Sequence, residues 1–248
     1  MRHMPESPDD VRGWIQAKIK DLQGKFRGRN MQWREDRALL LQMYRQAVPD
    51  FPNIMSAEPR SQLRLAMDIM TLRDPRITVL LHNQEADEQD KMNAMERFGV
   101  GLLREIDRRH RAAGNRYWLR DLVWYVLMGG YAVHPLVTRG ADGETEFRAY
   151  LWDPIEVYPE YGEGGLQWVA RTYKTVAGDI KDRIAATRGW NPAVLEFTKD
   201  ETEVDVVNAF WLEEDGVYNV VLVNGAEAKP ATLEKQFGNN IPVRVGPS

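Results

Sequence analysis

The sequence predicts an α+β fold in which N-terminal helices pack with antiparallel β-hairpins. Three observations carry this. Apolar residues recur at helical spacing through most of residues 1–130, alternating segments bounded by turn chemistry fill 131–248, and the charge divides with them. Residues 1–130 hold 22 Lys/Arg against 18 Asp/Glu, and 131–248 hold 11 against 19, so a basic helical part precedes an acidic β-rich part.

Ser7-Pro8-Asp9-Asp10 reads as a helix start, with a capping serine, a first-turn proline and acids at the positive end of the dipole. The first helix is expected to end near Phe26. Trp33, Arg37, Leu40, Leu41 and Tyr44 mark a second over 31–47, closed by Pro49 and Pro52. A third covers 60–73 with Leu63, Met67 and Met70 on its inner face, the methionines serving as core fillers. Asp74-Pro75 stops it before a short strand over 76–81.

A long helix follows, acidic at its start (Glu85, Asp87, Glu88, Asp90) and basic at its end (Arg104, Arg108, Arg109, Arg111), as the helix dipole favours. Glu105 and Asp107 interrupt the basic run and no aromatic residue is interleaved, so pairing with a neighbouring subunit is favoured over phosphate binding.

Tyr117 to Met128 is apolar on every side and predicts a helix buried all round, inside this chain or against a neighbouring one. It is too short for a bilayer, which needs about 20 apolar residues. Gly129-Gly130 ends it. Strands over 131–138 and 144–151, joined by Gly140-Ala141-Asp142-Gly143, predict a hairpin with Pro135 at an edge. Asp153-Pro154 makes a turn, after which Ile155, Val157 and Pro159 share a face. The whole stretch 116–159 thus reads as the junction between the helical and β-rich parts.

Beyond it come a strand over 167–175, an amphipathic helix over 177–188 with Ile180 and Ile184 inward and Gly189 as its cap, and strands over 204–212 and 217–223 around an Asp215-Gly216 turn. Asn224-Gly225 is another turn, and NNIPVRVGPS ends as a strand-like approach.

Chemistry is sparse. With no cysteine, disulfides, thiolate metal sites and a cysteine nucleophile are excluded. His3, His82, His110 and His134 are scattered, and no phosphate-binding loop, nucleophile elbow or zinc motif occurs. Gly99-Val100-Gly101 lies within a helical pattern and suggests close helix packing. The acids Glu213-Glu214-Asp215 read as a solvated turn tip. MRHMPESPDD lacks the apolar core of a signal peptide. Neither catalysis nor a cofactor or metal is expected.

The order of elements resembles the N-terminal part of tailed-bacteriophage portal proteins, the head-to-tail connectors. DPRITVLL, the acid-to-base helix, the apolar helix into MGGYAVHPLV, YLWDPIEVYPEY, LQWVARTYKT, VVNAFWLEEDGVYNVVLVNG and NNIPVRVGPS carry that resemblance over roughly residues 30–248. It implies a portal wing, divided as an N-terminal helical arm (1–30), a mainly helical part (31–130) and a β-rich part (131–248).

The implied protein is a homo-oligomeric ring subunit, usually a dodecamer, at one capsid vertex of the virion, assembled in the host cytoplasm. Its implied partners are the major capsid protein, the terminase large subunit, head-tail adaptor proteins and the double-stranded DNA passing through the channel, with no membrane. Family members typically continue into a stem, clip and crown that are not seen here, so the chain is expected to be part of a longer product or of a protein divided differently. An adaptor or minor capsid protein, or a metal-dependent nucleic-acid-processing enzyme, are the alternatives.

Overall fold

A computed structural model describes residues 8–41, 57–72, 77–78, 86–139, 145–187 and 189–246. The fold is α+β, and its contacts form two compact units, one of 1–32 with 152–245 and the other of 33–151 with 246–248. One boundary between the units falls at 32–33, close to the division expected at residue 30. The N-terminal helix belongs with the sheet built from the chain's last third, and the chain passes between units at 151–152, after the β-hairpin.

In the first unit, α1 (Pro8–Leu40, assigned to this unit as far as Gln32) buries Val11, Ile15, Ile19 and Leu22, spaced by four, four and three residues. That stripe packs on Trp168, Ala170, Ala209, Trp211, Val220 and Leu222. Each such buried aliphatic side chain contributes about 1.5–3 kcal/mol. The break expected between two helices at 26–31 is absent. Gly24 and Gly28 face open space, and Arg29 and Asn30 fix the helix from the side by hydrogen bonds to residues 154–157.

The sheet comprises β3 (Val157–Gly162), β4 (Gly165–Val176), β5 (Glu203–Glu213), β6 (Gly216–Val223) and β7 (Ala226–Leu233), antiparallel and in sequence order. Trp168 pairs with Trp211 and Trp211 with Tyr218, which places three aromatic residues side by side under α1. Trp14 meets Trp211 edge-on at 5.6 Å, and Trp211 stacks on Tyr218 at 5.7 Å. The other face takes α5 (Ala177–Ala186), whose Ile180 and Ile184 pack with Leu195, Val204, Val206, Val221, Val223 and Ala228.

β7 carries little strand signal in the sequence. Its composition, AEAKPATL, has weak strand propensity, and Pro230 is tolerated because β7 lies at the sheet edge.

The second unit contains the rest of α1, α2 (Glu58–Thr71), α3 (Ala86–Ala112), α4 (Trp118–Leu127) and the hairpin β1 (Ala132–Arg139) and β2 (Thr145–Trp152, assigned to this unit as far as Leu151). Pro59 in the first turn starts α2 two residues earlier than expected. α4 packs against α2 and α3, and Phe98 of α3 meets Phe147 of β2 edge-on at 6.1 Å.

Within the chain α4 is not buried all round. Trp118, Val123 and Met128 are buried, whereas Val126 and Leu127 are exposed, because neighbours cover only one side. Of the two glycines in α3, Gly99 packs closely, on Ile77, but Gly101 faces open space. Ile77 and Thr78 have no regular structure, and the rest of the strand expected over 76–81 lies outside the described residues. So do the 140–143 turn, residues 42–47 of the expected second helix, Pro49, Pro52, Asp74-Pro75, Glu85, His3, His82 and the Ser7 cap.

Candidate functional site

The basic end of α3 is a network with partners in its own unit. Arg108 places Nε and Nη2 on the two oxygens of Glu105, each at 2.7 Å, and Arg109 Nε reaches the same carboxylate at 2.5 Å. Arg109 Nη1 also lies 3.0 Å from Glu146 on β2, which accepts from Arg148 Nη2 at 2.9 Å. The hydrogen bond from Arg108, followed by that from Arg109, holds the Glu105 carboxyl down to about 2 against the opposing effect of desolvation. Glu146 is also lowered, first by Arg148 and then by Arg109.

Arg111 pairs with Asp107, Nε to Oδ2 at 2.8 Å, with its guanidinium over the Tyr117 ring at 5.1 Å. The other oxygen of Asp107 accepts the backbone N–H of Trp118 at 2.8 Å, at the first turn of α4. The Trp118 indole N–H donates to the Ala149 carbonyl at 2.9 Å. Arg104 lines a cleft of about 290 Å³ with Thr71, Leu72, Leu103 and Trp118. The predicted arginines therefore divide between tying α3 to β2, tying α3 to α4, and lining a cleft. Arg108 and Arg111 keep 65% and 57% of their side chains exposed.

The predicted turn residues do architectural work. Gly129 has φ +122°, and a Cβ there would sit 2.5 Å from the indole nitrogen of Trp33. Gly130 follows, its N–H donating to Tyr125 O at 3.1 Å. Asp153 Oδ1 accepts the N–H of Ile155 at 2.9 Å, and the buried Pro154 begins the 3₁₀ turn that this cap opens. Arg29 Nη2 donates to the carbonyls of Pro154 and Val157, and Asn30 Nδ2 to that of Ile155.

Two surface features escaped the sequence reading. α2 carries Leu63 and Met67 half-buried, but Met70, expected beside them, is exposed, and a second row, Leu65 and Ile69 with Leu72 at the C-cap, is 61%, 66% and 79% exposed. The spacing of four and three residues was the available signal, hidden because the inner row already accounted for the helix. The second feature is a groove lined by Arg60, Arg64, Arg116 and Arg120, distant in sequence and adjacent only in the fold. In the first unit, the groove lined by Trp14, Tyr161 and Glu213 also holds the Lys18–Glu160 ion pair.

Among the described residues no group of three or more His, Cys, Asp or Glu side chains could hold a metal ion, and no helix is long and apolar enough to cross a membrane. No protein-family model matches the chain, and no curated protein matches it.

Proposed function

We propose that this chain is a structural subunit of a portal ring at a single capsid vertex of a tailed bacteriophage, forming part of the channel for genome packaging and ejection and a docking platform for terminase and head-tail adaptors. The observation that carries the proposal is the exposed row of Leu65 and Ile69 on α2 and Leu72 at its C-cap, on a helix of which no residue is fully buried. Apolar surface of this kind marks interaction sites, and a repeated contact between unlike surfaces closes a ring. The exposed faces of Arg108 and Arg111, on a basic segment, and the excess of acids over 131–248 supply complementary charge for such a head-to-tail contact.

The reading rests also on the order of elements behind the resemblance: α3, the apolar α4, Gly129-Gly130, the hairpin, the Asp153-Pro154 turn, then β4, β5 and β6. Sedimentation and negative-stain microscopy of the purified chain test it. Rings with a central hole, lost when Ile69 is changed to Asp, are the expected outcome. A monomer at every concentration, or a compact oligomer without a channel, would overturn it.

A further inference from the structure

The arginine groove of the second unit has a volume of about 830 Å³ and is bounded by the end of α1, by α2, by the α3–α4 connection and by α4. Arg60 and Arg64 stand one turn apart on α2, Arg116 lies just before α4 and Arg120 in its first turn. Arg120 is committed, with Nη2 2.8 Å from Asp68 Oδ1. Asp121, the one acid among the described residues lining the groove, accepts at Oδ2 from His110 Nε2 at 2.9 Å. Arg60, Arg64 and Arg116 are exposed and make no hydrogen bond or ion pair among the described residues. Leu41, Leu63, Met67 and Trp124 give the same groove an apolar wall.

We infer that this groove is a docking site for an acidic amphipathic segment of a partner protein, its carboxylates on the arginines and its apolar side chains against the wall. Guanidinium forks match carboxylates in bidentate geometry, and arginine clusters are a recurring means of recognising acidic motifs. Like charges one helical turn apart oppose each other, so Arg60 and Arg64 gain from an anionic occupant.

A nucleic-acid strand fits less well. Single-strand sites combine a basic track with successive aromatic platforms, whereas among the described residues Trp124 is the one aromatic side chain lining this groove, and a polyanion would meet Asp121. The inference stands independently of the ring proposal.

The test is fluorescence polarisation of the full chain with a labelled helical peptide carrying glutamates on one face and leucines on the other. The expected result is binding that weakens at least about tenfold in an Arg60→Glu/Arg64→Glu variant and falls with added salt. Both side chains are exposed, so circular dichroism of the variant should match the parent. Equal binding by the variant overturns the inference, as does equal binding of a control peptide with serine in place of leucine. Tighter binding of a labelled oligonucleotide, lost in the same variant, would assign the groove to nucleic acid instead. Self-association abolished by the variant, without peptide binding, would assign it to a second copy.

Discussion

The side-chain amide of Asn30 donates to the carbonyl of Ile155 at 3.0 Å, joining residues 125 positions apart. Both are buried, and the bond sits in α1's apolar stripe where a hydrophobic side chain would otherwise lie. Arg29 adds two more donations to the same turn and lies over the Phe26 ring at 4.1 Å. Replacing Asn30 with Ala removes a donor and leaves a buried carbonyl without it. The expected cost is about 1–3 kcal/mol, read as a lower urea midpoint at unchanged slope. A midpoint equal to the parent's would mean that Arg29 alone holds the turn.

That contact also explains what the sequence concealed. Val11, Ile15, Ile19, Leu22, Phe26 and Trp33 form one continuous helical stripe, but Gly24, Gly28 and the polar Asn30 interrupt its appearance. Two helices were therefore expected where one exists, because local propensity is visible in sequence and a bond across 125 residues is not. The hairpins were legible from Asp215-Gly216 and the alternation around it, whereas β7 was hidden by its alanines and Pro230. The α3 arginines were legible as a basic run. Their partner Glu146 on β2 and the groove joining Arg60 to Arg116 depend on tertiary placement.

Gly129→Ala should destabilise more than Gly114→Ala. Both glycines have positive φ, +122° and +83°, so alanine is strained at either. At Gly114 nothing lies within 4 Å of the added Cβ, whereas at Gly129 it meets the rigid indole of Trp33. Gly114→Ala is expected to cost about 1 kcal/mol and Gly129→Ala clearly more, measured as the drop in melting temperature. Equal drops would show that Trp33 moves aside freely.

Glu105 makes stability pH-dependent in a defined window. Its folded value of about 2 lies below the ordinary 4.5, so its pairing with Arg108 and Arg109 adds stability that is fully present above pH 4.5. That contribution is lost as pH falls from 4.5 towards about 2. The parent should exceed Glu105→Gln in urea midpoint above the window, and the difference should shrink through it and with added salt. A difference independent of pH would mean that Glu105 acts by shape and not by charge.

On the sheet face opposite α1, Lys229 donates from Nζ to Asn219 Oδ1 at 2.6 Å and pairs with Glu234. Asn219 in turn donates to Asn208 Oδ1 at 2.7 Å and to the Ala209 carbonyl at 3.0 Å, so one ammonium anchors a polar chain across three strands. The side chains of Lys229 and Glu234 are only 18% and 13% exposed. Lys229→Met preserves the aliphatic stem but takes the cation from the Glu234 carboxylate, which keeps the amide donor of Gln236, and from the side-chain oxygen of Asn219. Breaking a fully buried pair from one side costs about 3–5 kcal/mol, so this half-buried pair should cost less than that but more than a surface pair. Adding Glu234→Gln to Lys229→Met removes the charge that has lost its cation and should recover much of that loss in equilibrium unfolding. If the double variant is no more stable than Lys229→Met alone, the cost lies in Asn219 and its strand contacts, and the ion pair contributes little.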